Sequence, residues 1–344
     1  MTAIDKEIQP TVVFADHSYM TEAAMKALGR VSKIIWLESQ DEDRLVAEVR
    51  ISKPKVIVSE YCKITSRVMD SSPELRGIMV WGVGHDHVDL NAASERGICA
   101  ANTRGSNAES VAEHAIALML VLSRKVCQSD AFVRGGGWTN REETGLPTEL
   151  VTLDLSSKTL GIIGLGTIGG RVAQVAHALG MSVLAYDRFL TNEQATERGA
   201  ELVELETLLE KSDFVTIHVT LTSETRRMIS ARELEMMKPT AYLINTSRGA
   251  VIDEEALIDA LKTRIAGAGL DVFDQEPLGL ENPLMKLNNV ILTPHCAGSS
   301  REALEATSWT VYEEAKRMLE GQTPKNILNR AELVKRGFIS PHIG

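Results

Sequence analysis

Arg248, Glu276 and His295 each lie just beyond an apolar run that reads as a strand: Leu243-Ile244-Asn245-Thr246-Ser247, Leu270-Asp271-Val272-Phe273 and Ile291-Leu292-Thr293-Pro294. In an open parallel sheet, ligands bind outside the carboxyl ends of the strands, so three side chains far apart in sequence can meet at one rim. A histidine titrates near neutral pH and can give or take a proton. A neighbouring carboxylate favours the imidazolium and fixes the ring. An arginine presents a planar fork of donors that suits a carboxylate, and its charge polarises an adjacent carbonyl. Together they suit hydride transfer to a 2-oxo acid, which leaves an alkoxide that must take up a proton. Alone, such a histidine is more often a loop or core residue than a catalyst, such an arginine is usually a solvated surface group, and Glu276 before a proline reads as an ordinary turn. Their recurrence at three strand ends, in a chain with a dinucleotide-type turn, carries the reading.

That turn is Gly164-Leu165-Gly166-Thr167-Ile168-Gly169. It follows an apolar strand, opens a helix-like run, and is followed by a second strand that ends in Asp187. The spacing fits a dinucleotide site. Gly164 permits the tight turn, Gly166 lets the backbone approach a pyrophosphate, and Gly169 lets the helix close on the strand. The pyrophosphate sits at the helix N-terminus, where free N–H groups and the helix dipole favour anions. A carboxylate at Asp187 accepts from both ribose hydroxyls and repels a 2′-phosphate, so NAD is favoured over NADP. The adjacent Arg188 can pair with a phosphate.

The chain has 344 residues, 44% of them hydrophobic, enough for two domains with sizeable cores. Its net charge of −10 argues against nucleic acid as a partner. Cys62, Cys99, Cys127 and Cys296 show no metal-type spacing, so no metal is expected and the cysteines read as free thiols in a reducing compartment. Residues 1–10 are polar and charged without a signal-peptide core, and no apolar run reaches membrane-spanning length. A cytoplasmic protein off the membrane is the expectation.

Stretches 11–15, 33–37, 55–58, 77–80 and 98–101 read as strands, interleaved with helical stretches 20–28, 42–50 and 88–96. This alternation implies a parallel α/β sheet upstream of the glycine-rich turn. A long helix is expected over 110–126, then a loop or arm over 134–147 containing Trp138. Six strands follow, at 159–163, 182–186, 214–218, 241–245, 267–272 and 290–293, a count that matches a doubly wound sheet. Helices are expected at 205–211, 231–237, 254–262 and 301–320.

Between residues 56 and 329 the chain resembles the NAD-dependent D-2-hydroxyacid dehydrogenases, which include phosphoglycerate dehydrogenase, D-lactate dehydrogenase and glycerate (hydroxypyruvate) reductases. The resemblance lies in Gly82-Val83-Gly84-His85-Asp86-His87-Val88-Asp89, in Ser110-Val111-Ala112-Glu113, and in the arginine, glutamate and histidine segments Asn245–Gly249, Leu270–Pro277 and Thr293–His295. It implies a Rossmann-type domain over 107–298 and a smaller flavodoxin-like α/β substrate domain over 1–106 and 299–344, hinged at two chain crossings. It implies that Arg248 binds substrate, that Glu276 pairs with His295, and that His295 is the acid/base. Backbone N–H groups of Val83 and Gly84 would hold the substrate carboxylate. Asp271 would contact the nicotinamide amide, His218 and Thr246 would line the cofactor site, and Val111, Thr167, Ile168, Arg188 and Gly298 would complete it. A homodimer supported by the long helix and the Trp138 arm is also implied.

Three departures from the family pattern stand out, the first two beside the cofactor and the third bearing on the substrate. Thr220 stands where His-x-Pro is usual, and Cys296-Ala297-Gly298 replaces a commoner apolar-Gly-Gly or apolar-Ala-Gly. Ser59 stands where phosphoglycerate-oxidising members carry an arginine, with Glu60 adding negative charge and Tyr61 offering an aromatic wall. An unphosphorylated 2-oxo or 2-hydroxy acid is therefore expected as the small-molecule partner. The alternatives are D-3-phosphoglycerate dehydrogenase of serine biosynthesis and, in a different class, an NAD(H)-sensing co-repressor-like binding protein. Formate dehydrogenases carry glutamine rather than an acid such as Glu276.

Overall fold

The computed structural model describes residues 9–16, 19–139 and 146–341. The first eight residues of the polar start and residues 140–145 of the expected arm lie outside the described residues. The chain divides into two compact units, Met1–Asn107 with Ser299–Gly344, and Ala108–Gly298.

The first unit holds five short strands: β1 (Thr11–Phe14), β2 (Lys33–Trp36), β3 (Val56–Ser59), β4 (Gly77–Val80) and β5 (Cys99–Ala101). All neighbours pair parallel in the order β2-β1-β3-β4-β5, the flavodoxin-like arrangement. The strands read as unbroken apolar runs because helices cover both faces. Alternation then sorts the side chains: Val13, Ile78 and Val80 enter one core, while Val12, Phe14 and Met79 enter the other. Helix Arg301–Leu319 belongs to this unit and seals the second core with Val311, Ala315 and Met318.

The second unit is a seven-stranded sheet of β6 (Thr159–Ile163), β7 (Ser182–Tyr186), β8 (Glu201–Leu202), β9 (Phe214–Ile217), β10 (Tyr242–Asn245), β11 (Gly267–Leu270) and β12 (Val290–Leu292). The order β12-β11-β10-β9-β6-β7-β8 is all parallel and reverses direction between β6 and β9. This is the Rossmann-type doubly wound order, and ligands bind at its reversal. Leu243 faces one core, and Tyr242 and Ile244 the other.

The count of six strands is corrected to seven. Strand β8 has two residues and sits at the sheet edge, too short to show a period. The long helix also differs. It runs Ala108–Arg124, breaks at Lys125 with φ 49°, and resumes as Val126–Arg134. Lysine is a good helix former, so its letter gives no sign of the break. Helices Ser66–Met69, Asn192–Glu197 and Arg330–Lys335 were not expected, each being under two turns.

Candidate active site

The glycine-rich turn leaves β6 with Gly164 at φ 92°, where a Cβ would stand 2.7 Å from the His218 carbonyl oxygen. A Cβ on Gly169 would stand 2.2 Å from the Gly164 carbonyl oxygen, so helix and turn close only with glycines here. A Cβ on Gly166 would meet nothing within 4 Å. Gly166 is also the N-cap of helix Thr167–Ala178 and offers no side-chain cap. The first helical amides, including those of Thr167 and Ile168, thus open onto space suited to an anion. Asp187, just past β7, accepts from the amides of Leu165 and Phe189, both at 2.9 Å. Arg198 donates to the Leu165 carbonyl from the other side. The turn is therefore held between opposite charges, and Arg188 is exposed beside it.

Further along the rim, the Thr246 hydroxyl is buried and has no hydrogen-bond partner among the described residues. A buried hydroxyl left without a partner is costly, and a bound polar ligand would satisfy it. Burial lowers His218 to about 4, so its ring is neutral at pH 7 and shares a 2.9 Å hydrogen bond with Thr216. Open glycine backbone, helix amides, Asp187 and the orphaned Thr246 hydroxyl together fit NAD. Val111 is buried on helix Ala108–Arg124, whose Ser110 hydroxyl donates to the Ala297 carbonyl at 2.7 Å, next to Gly298.

The three chemical side chains lie at the C-terminal ends of β10, β11 and β12. Nδ1 of His295 is 2.7 Å from Oε2 of Glu276, and both side chains remain partly open to solvent. The other Glu276 oxygen accepts from the Phe273 amide at 2.9 Å. Burial alone would raise the Glu276 pKa. The bond and charge of His295, the Phe273 amide and the Arg248 charge outweigh it and hold the carboxyl below its usual range. Arg248 follows a turn built by Asn245, whose Oδ1 accepts from the Ser247 amide and hydroxyl and whose Nδ2 donates to the Arg248 carbonyl. A Cβ at Gly249 would stand 1.9 Å from the carbonyl carbon of Phe273. The arginine and glutamate segments thus touch backbone to backbone.

His295 adopts φ 49°, in the left-handed region that few non-glycine residues occupy, although histidine enters it more readily than most. Asp271 holds it there. Its carboxylate accepts from the Thr293 hydroxyl at 2.6 Å and from the amides of Cys296 and Ala297 at 2.9 Å, and its carbonyl accepts from the His295 amide at 2.8 Å. His114 reaches Thr293 at 3.0 Å. Possible ligand atoms of His114, Asp271 and Cys296 lie within 4.8 Å of one another, but both Asp271 oxygens are already engaged by donors. Burial first, then the Asp271 charge and hydrogen bond, push the Cys296 thiol up, so it stays protonated. The bracing roles of Asp271 and Asn245 escaped the sequence reading, because their partners are mostly backbone groups.

In the first unit, two loops follow the paired strands β3 and β4. The Val83 carbonyl accepts from Nδ2 of buried Asn102 at 2.7 Å. A planar trans peptide turns the Gly84 N–H the opposite way. Among the described residues, the amides of Val83 and Gly84 find no acceptor. Tyr61 is exposed after β3, and Glu60 is half-buried. Ser59 is fully buried, and its hydroxyl donates to Asp16 and to the Cys62 carbonyl.

Residues 116–297 match the D-isomer specific 2-hydroxyacid dehydrogenase, NAD binding domain family. A glyoxylate reductase of Thermococcus litoralis is 44% identical over 298 residues, covering 86% of this chain and 90% of that one. A D-3-phosphoglycerate dehydrogenase of Archaeoglobus fulgidus is 41% identical over 82% of this chain, which spans only 53% of its length. A solved D-lactate dehydrogenase of Aquifex aeolicus, complexed with NAD and lactic acid, superposes with a TM-score of 0.81 at 30% identity over 93% of this chain and 99% of that one. With its Rossmann-type unit, its nucleotide turn and this likeness over most of its length, the chain belongs to the NAD-dependent D-2-hydroxyacid dehydrogenases.

Proposed function

We propose that the enzyme reduces a small unphosphorylated 2-oxo acid, of the glyoxylate or hydroxypyruvate kind, to the D-2-hydroxy acid, and catalyses the reverse. The observation that carries this is the 2.7 Å His295–Glu276 contact at the same strand rim as Arg248. NAD, when bound, supplies or accepts the hydride. Arg248 takes the substrate's carboxylate and keto oxygen on its fork, and the amides of Val83 and Gly84 hold the carboxylate. With Nδ1 on Glu276, the Nε2 of His295 is the ring atom that hands a proton to the alkoxide oxygen. Glu276 steadies the imidazolium before that transfer.

Serine rather than arginine at position 59 favours an unphosphorylated substrate. Position 59 carries a serine turned inward onto Asp16 and the Cys62 carbonyl. The similarity to a glyoxylate reductase over most of both chains supports the same choice. A homodimer is proposed through residues 120–139 and 146–151 of the second unit, where Leu120, Val126, Val133, Trp138, Leu146 and Val151 are exposed apolar side chains. A reducing, cytoplasmic location suits four unpaired cysteines. No helix among the described residues is long and apolar enough to cross a membrane.

NADH oxidation by the purified protein should be followed with glyoxylate, hydroxypyruvate, pyruvate, phenylpyruvate and phosphohydroxypyruvate. Turnover with glyoxylate or hydroxypyruvate is expected. Turnover with phosphohydroxypyruvate alone would replace this reading with that of a phosphoglycerate dehydrogenase. NADH binding without turnover of any acid would favour a nucleotide sensor.

A further inference from the structure

Asp16 lies just past β1 and is 2% exposed. Its carboxylate gathers three consecutive backbone amides from the loop after β3. Oδ1 accepts from Glu60 at 2.9 Å, and Oδ2 accepts from Tyr61 and Cys62, each at 2.6 Å. Oδ2 also lies 3.2 Å from the Glu60 amide and 3.3 Å from the Ser59 hydroxyl. Successive amides turned toward one point form a concave anion-binding nest. Here the anion is the protein's own. Ser59 closes the nest by donating to the Cys62 carbonyl at 2.8 Å.

The nest has a fixed floor and a presented edge. Cys62 is buried at its base, and burial, then the charge of Asp16, push its thiol up to about 12. The thiol is therefore an inert packing group. Tyr61, between the anchored amides, is 42% exposed, and Glu60 is half-buried. Strand β3 pairs with β4, so this loop leaves the same edge of the sheet as Gly82-Val83-Gly84. The neighbour loop offers amides suited to a carboxylate. A substrate's carboxylate and its tail are close together on the molecule, so adjacent loops can divide their recognition.

We propose that Asp16 is a positioning residue for substrate choice: by clamping the amides of Glu60, Tyr61 and Cys62, it fixes the edge that reads the 2-oxo acid's tail. This rests on the reductase reading above. A tail with an uncharged polar or aromatic end fits Tyr61, and the carboxylate of Glu60 disfavours anionic tails. Glyoxylate has no tail, so its turnover is insensitive to the clamp.

The test is Asp16→Asn in the full chain, with the thermal melt and kcat on glyoxylate as the controls for folding. Asparagine keeps the shape but replaces one acceptor with a donor that faces amides. Hydrogen–deuterium exchange should quicken at residues 60–62 by about tenfold or more. KM for hydroxypyruvate and phenylpyruvate should rise about tenfold, while kcat on each acid and KM for glyoxylate stay within about threefold. A merely structural defect would lower the active fraction, reducing kcat on all three acids alike without this split in KM. Equal changes for glyoxylate and the tailed acids would overturn the specificity role, and unchanged exchange would overturn the clamp. A wild-type chain inactive on every acid would defeat the reductase reading and the specificity role with it, while exchange would still judge the clamp. Should Asp16→Asn fail to fold, Ser59→Ala, which leaves Asp16 in place, should shift the same KM ratio by about threefold, and an unchanged ratio would count against the proposal.

Discussion

The two units use the same device at opposite stakes. In each, a buried carboxylate just past one strand grips backbone amides in the loop after another: Asp16 holds residues 60–62, and Asp271 holds residues 296–297. Asp271's loop contains His295, kept at φ 49° and paired with Glu276. Asp16's loop carries Tyr61 and Glu60, which are proposed to meet the substrate's tail rather than its reacting carbon. Loosening the first should damage the reaction on every substrate, whereas loosening the second should redistribute preference among substrates. A hydrogen-bond pattern alone therefore does not reveal a loop's function; the side chain that it presents does.

The largest effect expected is from His295→Ala. Its kcat should fall by at least about 100-fold, with NADH binding retained in a fluorescence titration. Near-normal kcat in the folded variant would remove proton transfer from the second unit and erase the contrast. Next comes Asp271→Asn, which leaves buried amides facing a donor. Urea unfolding should show a loss of about 1–3 kcal/mol, and kcat should drop on glyoxylate and tailed acids in equal proportion. A change confined to tailed acids would make the two clamps equivalent.

The pH dependence is subtler. Because Glu276 is held below its ordinary value of 4.5, the ionised group's contribution to stability is present above that value. It is lost as pH falls through the lowered folded value. Thermal melts between pH 5 and about 3 should therefore slope less for Glu276→Gln than for wild type, and parallel curves would show that the pair contributes nothing to folding. The smallest effect expected is from Asp187→Ala, which should narrow the NAD over NADP preference by about tenfold in kcat/KM. An unchanged ratio would move the discrimination to another residue, such as Arg188 beside Asp187 or Arg198, which donates to the turn's Leu165 carbonyl.

The strands, and the placement of Arg248, Glu276 and His295 just past three of them, were legible because apolar runs end in polar letters. The glycine turn was legible because Gly164 and Gly169 make close approaches that no other residue permits. The family resemblance implies that Asp271 contacts the nicotinamide; the structure adds that both its oxygens accept hydrogen bonds from within the protein. Backbone donors have no letter of their own, so neither this clamp nor the one at Asp16 could be read in advance. Asp16 also lies more than forty residues from the amides it holds. Strand β8 and the break at Lys125 were hidden for a different reason, since two residues show no period and lysine suits a helix interior.

Gly249 has a consequence for how this enzyme can change. Any side chain there would be driven into the Phe273–Asp274 backbone, with a Cβ at 1.9 Å from one atom and 2.4 Å from another. Mutations at that position would push the arginine and glutamate segments apart together, so selection cannot tune one of them by this route without disturbing the other. Tyr61, exposed at the sheet edge, has no such constraint on its side chain. A library built to obtain new substrates should therefore vary residues 60 and 61 and leave Gly249 untouched, and descendants of this chain should diverge in appetite sooner than in chemistry.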